Sequence, residues 1–129
     1  MKHIELGMVG ETVAAEFLQK NGYKILERNR RQSHDEIDII AADKEYIVFV
    51  EVKTRSVNST DCYLPYGSPA TAVTREKQRK LLRAAMAYLR EKSAKGKQPR
   101  MDVIEIYYHK ISGSIIKINH ITNAFGVRT

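Results

Sequence analysis

The sequence feature that most constrains the fold is an apolar run at residues 46–53, Tyr-Ile-Val-Phe-Val-Glu-Val-Lys. Its β-branched and aromatic residues predict a β-strand. Because alternate side chains of a strand point to opposite faces of a sheet, Glu51 and Lys53 share one face and the three valines share the other. The run therefore predicts an otherwise buried strand that ends in an acid and a base.

The remaining segments predict the layers that such a strand needs. Helices are expected at residues 5–21, which Asn21-Gly22 would end, and from Thr74, the N-cap, to about residue 90. Strands are expected at residues 23–28, 36–41, 101–108 and 114–121, and loops at 29–35 and 54–71. This order of elements in 129 residues predicts one α/β domain, a mixed β-sheet flanked by helices.

The strand just before the apolar run is acidic, and a short turn predicts that the two strands are antiparallel neighbours. We expect Ile40 to pair with Phe49. Asp38 then faces Glu51, and a slip of two residues would bring Glu36 opposite Glu51 instead. Two carboxylates that face each other across paired strands repel unless a cation lies between them. Oxygen ligands of this kind suit Mg²⁺, which keeps open positions for phosphate oxygens.

Lys53 follows Glu51 by two residues and would contact the same phosphate or an attacking water, stabilising the charge that develops at phosphorus. This combination predicts metal-assisted hydrolysis of a phosphodiester bond. The alternative interpretation of the same residues is a surface ladder of salt bridges from Lys53 to Glu51 or Asp38, which contributes little stability.

The net charge of +7 comes from 22 Lys and Arg residues against 15 Asp and Glu residues, and it is unevenly distributed. Residues 74–100 hold ten basic and two acidic residues, whereas the other 102 residues hold twelve basic and thirteen acidic ones. A localised basic segment suits a polyanion such as nucleic acid. The alternative is a solvated helix face followed by a lysine-rich loop.

Several protein classes are excluded by composition. The lone cysteine, Cys62, cannot form an internal disulfide, and the acid Glu5 precedes any apolar run that could serve as a signal peptide. The longest apolar stretch, residues 47–50, is far shorter than the roughly 20 residues that cross a bilayer. The four histidines lack the spacing of zinc ligands. We therefore expect a soluble, cytoplasmic protein without a membrane partner.

Asp38 on one strand and Glu51-Val52-Lys53 on the next match the D-x(n)-E-x-K core of the PD-(D/E)xK nuclease superfamily, with Ile37 where the superfamily's name has proline. The whole chain resembles the YraN-like family of uncharacterised bacterial proteins, which are predicted endonucleases similar to archaeal Holliday-junction resolvases. The matching segments follow the family's order over nearly the full length, at residues 10–14, 22–29, 36–41, 48–55, 72–74, 77–78, 101–104 and 123–125. One departure is Asp35, which stands where the family usually has glycine.

The resemblance implies a restriction-endonuclease-like core over residues 1–129 that binds Mg²⁺, for which Mn²⁺ can substitute. The catalytic residues that it implies are Glu11, Asp38, Glu51 and Lys53, and the metal ligands are Asp38, Glu51 and the backbone carbonyl of Val52. Spacing along the first helix does not choose between Glu11 and Glu16, because the two acids flank opposite sides of its apolar stripe.

Contacts with nucleic acid are expected from basic residues on either side of the acidic strands, since arginine suits bidentate contact with phosphates. The expected contact residues are Arg28, Arg30, Arg31, Arg55, Lys77, Gln78, Arg79, Lys80 and Arg83. The alternative interpretation is that the arginines before the acidic strand are ordinary surface charges, which would give the same sequence pattern. Gln78 is included because the resemblance implies that it binds a phosphate or a lysine near the site. Tyr63 and Tyr66 in the long loop could stack on unpaired bases.

The leading hypothesis from these observations is a Mg²⁺-dependent endonuclease that acts on DNA, with branched or otherwise structured DNA suggested by the resolvases. A second hypothesis is a non-catalytic nucleic-acid-binding module with a nuclease-like fold. A third is an adaptor whose basic segment binds an acidic protein. Analogy with the resolvases also suggests a homodimer.

Overall fold

The structure is a computed structural model that describes residues 3–32, 34–57, 73–92 and 96–126. Its elements follow the predicted order of helix, three strands, helix and two strands. They are α1 (His3–Lys20), β1 (Lys24–Gln32), β2 (Asp35–Ala42), β3 (Tyr46–Val57), α2 (Arg75–Lys92), β4 (Gln98–His109) and β5 (Ile115–Phe125). The side chains of residues 3–7 are not among those described.

The five strands form one sheet in the order β1-β2-β3-β4-β5. Pairing is antiparallel except between β3 and β4, which are parallel because the chain crosses over through α2. The sheet is therefore mixed and is flanked by helices, which confirms the predicted α/β fold class and is consistent with a nuclease-like core.

The strand β3 lies in the middle of this sheet because its side chains are apolar on both faces. Val48 and Val50 pack in one buried cluster with Ala14 and Leu18 of α1. The residue between them, Phe49, packs in a second cluster with residues of α2. Alternation along a single strand thus places one helix on each face of the sheet.

The strands extend farther than the sequence predicted. Residues 29–32, predicted as a loop, continue β1, where Arg31 pairs with Glu36 of β2. The apolar period is missing there because β1 is an edge strand with no fully buried side chain. The strand β3 likewise continues to Val57, and the rest of the predicted long loop, with Tyr63 and Tyr66, lies outside the described residues.

Among the residues that the structure describes, no helix is both long and apolar enough to cross a membrane.

Candidate active site

Two acidic side chains meet where the pairing of β2 with β3 ends. Ile40 pairs with Phe49, as the alternation predicted, and the last pair of the ladder is Ile39 with Val50. Beyond that pair, the Oδ2 atom of Asp38 accepts a hydrogen bond of 2.8 Å from the backbone N–H of Val52. A side chain of β2 thus takes the place of a backbone carbonyl. The slipped register, with Glu36 opposite Glu51, is wrong.

Glu51 lies on β3 beside this contact, and only 7% of the residue is exposed. Its Oε1 atom lies 3.6 Å from the Nζ atom of Lys53, a loose ion pair. Its Oε2 atom is buried and has no hydrogen-bond partner among the residues that the structure describes. A buried carboxylate oxygen without a donor is costly, so this atom marks a position where a cation would be stabilising.

The electrostatics of the two acids follow from this burial. Burial and the nearby charge of Asp38 raise the pKa of Glu51 to about 7, although Lys77 and Lys53 lower it in part. Burial also raises the pKa of Asp38, against the hydrogen bond from Val52 and the charge of Lys77. Each carboxylate is therefore harder to ionise than an exposed one, and added positive charge at this position would reverse that effect.

The first helix brings another acid, Glu11, near Asp38. Burial raises the pKa of Glu11, and the neighbouring charge of Asp38 raises it further, so the two carboxyl groups lie near each other. Glu16, the alternative on this helix, is exposed. The packing of α1 thus brings Glu11 close enough to Asp38 for the charge of Asp38 to act on it, and the role of Glu11 stays a prediction.

Close approach of α1 to β3 makes this possible. A Cβ atom built on Gly10 would overlap the Oγ1 atom of Thr54, so only glycine fits at this point without a shift of the helix or of the side chain. Gly10 and Thr54 both lie in matched segments, but nothing in the sequence indicates that they touch.

Asn29 is a site residue that the sequence analysis missed. It lies in β1 between Arg28 and Arg30, which pair with the residues on either side of Asp38. Its backbone has φ of 51°, in the left-handed region that asparagine tolerates better than most residues. A hydrogen bond from its side chain lowers the pKa of Glu11 in part. Strained backbone of this kind is common at functional sites, and an isolated Asn in a polar edge strand was its only signal.

The basic residues expected to contact nucleic acid fall into two groups. Several already have partners within the protein. The partnered contacts are Arg28 with Thr12, Arg30 with Glu27 and Glu91, Arg55 with Glu105, Lys80 with Glu76, and Arg83 with Asp35 at 3.9 Å. Of the others, Lys77 faces the carboxylates of β2 and β3, because its charge lowers the pKa of both.

Arg31 and Arg79 are exposed and form no ion pair within the described part of the chain. The Nε2 atom of Gln78 donates a hydrogen bond of 2.8 Å to the backbone carbonyl of Val73, just before α2 begins. The oxygen Oε1 of Gln78 is not used in that bond. The expected contacts of all these residues with nucleic acid stay predictions.

Asp102 on β4 is another buried acid, and no role was predicted for it from the sequence. Its carboxylate accepts hydrogen bonds from both the Nε and Nη2 atoms of Arg100, at 2.9 and 2.8 Å, and from the backbone N–H of Asn123 at 2.9 Å. The Nε2 atom of His120 lies 2.7 Å from the same carboxylate. The cluster is fully satisfied and joins β4 to β5.

Comparison with known proteins gives three findings. The model of a family described as Uncharacterised protein family UPF0102 matches residues 10–106. A UPF0102 protein of Caldanaerobacter subterraneus subsp. tengcongensis is 47% identical over 121 residues, covering 93% of each chain. A UPF0102 protein of Chlorobium phaeobacteroides is 46% identical over 124 residues, covering 94% of each chain.

Among solved structures, the chain is similar to Pyrococcus furiosus SfsA in complex with Ca²⁺, with a TM-score of 0.41 and 16% identity. The match covers 84% of this chain and 61% of that one.

Proposed function

The chain belongs to the YraN-like family, the uncharacterised protein family UPF0102, and we propose that it is a Mg²⁺-dependent endonuclease that hydrolyses phosphodiester bonds of DNA. The observation that carries this proposal is the buried Glu51 carboxylate, whose Oε2 atom has no partner within the described residues although a second buried carboxylate lies beside it. Such a pair is unfavourable by itself, and a divalent cation would stabilise it.

The donor set at this position fits Mg²⁺, with Mn²⁺ as a substitute. Asp38, Glu51 and the backbone carbonyl of Val52 would hold the ion, and all three supply hard oxygen ligands. Within the described ranges, no group of three or more His, Cys, Asp or Glu side chains could hold a metal by itself. Several positions would therefore be left to water and to phosphate oxygens, so we expect weak binding in the absence of DNA. When bound, the ion would polarise the scissile phosphate and an attacking water.

The side chains around these acids have separate roles in the proposal. The ammonium group of Lys53 would stabilise the negative charge that develops on the phosphate oxygens, and its loose 3.6 Å contact with Glu51 leaves it free to do so. Glu11, next to Asp38 and with a raised pKa, would orient the attacking water or accept its proton. Lys77 would attract the phosphate toward the carboxylates.

Nucleic acid is the substrate that fits the charge of the molecule. The net charge of +7 is concentrated in residues 74–100, which include α2. A protein that only bound nucleic acid would gain nothing from placing the carboxylates of Asp38 and Glu51 near Lys77 of this segment, because they repel phosphates. A nuclease requires them.

The test is a cleavage assay with linear, nicked, single-stranded and four-way DNA, in Mg²⁺, Mn²⁺ or EDTA. Glu51→Gln is expected to abolish cleavage because it removes a ligand of the metal ion, while DNA affinity stays unchanged or rises because a negative charge has been removed. Lys53→Ala should also stop cleavage, with a modest loss of affinity. Glu11→Gln should also lose cleavage activity. Its matched control is Glu16→Gln on the same helix, which should keep it.

Cleavage by Glu51→Gln at the wild-type rate would show that the proposal is wrong or that the activity belongs to a contaminant. Tight DNA binding by the wild type without cleavage in any divalent ion would favour the binding-module hypothesis. In that case Asp35, which pairs with Arg83 where the family usually has glycine, is the first residue to replace.

We extend the proposal to a homodimer, on the analogy with resolvases. The single cysteine of the chain favours a reducing, cytoplasmic location. Preference for four-way DNA in the assay would support the analogy, and light scattering would measure the mass of the protein in solution.

A further inference from the structure

A groove runs between the first turns of α2 and the end of β5. It has a volume of about 600 Å³. Its lining residues are Arg75, Gln78, Arg79, Leu82, Phe125 and Gly126. Lys77, which faces the carboxylates, and Gln78, which lines the groove, are consecutive residues of α2. The groove therefore begins one residue away from the side chain that faces the proposed catalytic centre.

The charges along α2 are not equivalent. Toward β2, Arg83 pairs with Asp35, and Lys80 pairs with Glu76 one turn earlier on the helix. Toward β5, Arg75 and Arg79 lie one turn apart on the same side of the helix, and neither has an ion-pair partner among the described residues. Two arginines of the helix without an ion-pair partner in the described part of the chain thus line the groove.

The floor of the groove is apolar. Leu82 is partly exposed there, and Phe125, of which 9% is exposed, also lines the groove. A concave site that combines two unpaired arginines with an apolar floor is complementary to a nucleotide, which has a phosphate and a flat base. It does not suit a duplex, whose bases are stacked inside and which offers only phosphates to this concave surface.

We propose that this groove binds an unpaired segment of a DNA strand next to the cleaved bond. Arg75 and Arg79 contact its phosphates, and a base rests against Leu82 and Phe125. The inference rests on the proposed function, since it assumes that DNA is the substrate. It gives that site a substrate class: DNA with a single-stranded segment beside the position of cleavage.

The experiment measures binding alone, in EDTA, by fluorescence anisotropy with a labelled oligodeoxythymidine and a blunt duplex of the same length. The test variant is Arg75→Gln combined with Arg79→Gln. The control is Arg90→Gln, an exposed arginine in the last turn of the same helix, outside the groove. All of these positions are exposed, so the variants are expected to fold. A melting curve checks this.

In the double variant, the slope of log affinity against log salt for the single strand should fall by about 1.4, or about 0.7 for each lost contact. Binding of the duplex should change little, and Arg90→Gln should leave the slope for the single strand unchanged. An equal loss for single strand and duplex, or an equal loss per charge in Arg90→Gln, would overturn the inference. Equal competition by polyglutamate would indicate an acidic protein partner and would also overturn it.

The same measurement separates the inference from the proposed function. If no divalent ion supports cleavage but the double variant selectively loses the single strand, the nuclease proposal fails and the groove stands. If Glu51→Gln abolishes cleavage but the double variant binds the single strand as well as wild type, the nuclease proposal stands and the groove inference fails.

Discussion

Two of the buried acids of this protein, Asp102 and Glu51, have opposite surroundings in the fold. Asp102 is fully buried, and hydrogen bonds from His120, Arg100 and the backbone of Asn123 outweigh its burial and lower its pKa. Glu51 is nearly as buried, but its Oε2 atom has no partner among the described residues, and burial together with Asp38 raises its pKa to about 7. The two residues lie on neighbouring parallel strands of one sheet.

The difference indicates which acid serves stability and which serves chemistry. A fully hydrogen-bonded carboxylate is stable as an anion and has no capacity left for a ligand. A carboxylate left with an open oxygen costs stability, and such a cost is typical of sites shaped for a ligand that supplies the missing charge. The following experiments test whether this division holds.

The largest expected effect is at Asp102. Asp102→Ala should lower the free energy of unfolding by about 3–5 kcal/mol, because it removes a fully buried anion and leaves the partly buried Arg100 without its partner. Urea denaturation measures the change. The control is Asp43→Ala, which removes an acid that caps the backbone N–H groups of Glu45 and Tyr46 near the surface and should cost about 1 kcal/mol. Equal losses in the two variants would remove the distinction.

The opposite sign is expected at Glu51. The raised pKa means that the folded protein favours the protonated form of Glu51. Its contribution to the free energy of unfolding is therefore fully present below its ordinary pKa of 4.5 and is lost as pH rises through about 7. In EDTA at pH 8, Glu51→Gln should therefore be more stable than wild type by about 2–3 kcal/mol. Near pH 4 the two proteins should converge.

Unfolding measured across pH in EDTA tests this sign. A destabilised Glu51→Gln at pH 8 would mean that Glu51, like Asp102, is a structural anion, and the comparison would fail.

Divalent ions should stabilise the wild type at pH 8 by a smaller amount, about 1.4 kcal/mol at a concentration tenfold above the dissociation constant. Differential scanning fluorimetry with Mg²⁺ or Mn²⁺ measures the shift in melting temperature. Asp38→Asn and Glu51→Gln should lose it, whereas the exposed Glu16→Gln should keep it. The same shift in Asp38→Asn as in wild type would put the metal elsewhere.

The smallest effect is expected at Asn29, whose backbone is left-handed. Asn29→Gly should be more stable than Asn29→Ala by about 1 kcal/mol, because alanine disfavours this conformation. At Arg31, on the same strand and without positive φ, the order should reverse, since glycine weakens an ordinary strand. Chemical denaturation measures the stability of the four variants. The same order of glycine and alanine at both positions would contradict a strained backbone at Asn29.

The fold and part of the candidate site were predictable from local sequence. The pairing of Ile40 with Phe49 followed from two alternating runs and a short turn, because the period of a strand and the length of a turn fix the register within a hairpin. The position of Asp38 beside β3 followed from that register. The length of β1 could not be predicted, because an edge strand has no buried face to give an apolar period.

The partners of the basic residues and the acid that lies beside Asp38 were decided only by the tertiary structure, because they depend on residues that are distant in sequence. Arg30 meets Glu91 across 61 positions, and Arg100 meets Tyr23 across 77, so no local pattern could show which basic residues are already paired. Glu11, rather than Glu16, lies beside Asp38 because of how α1 packs on the sheet. The sequence by itself determined which residue types end each strand. Burial and packing decided which of the acids is satisfied and which has an open oxygen, because the cost of a buried charge depends on every neighbour in space.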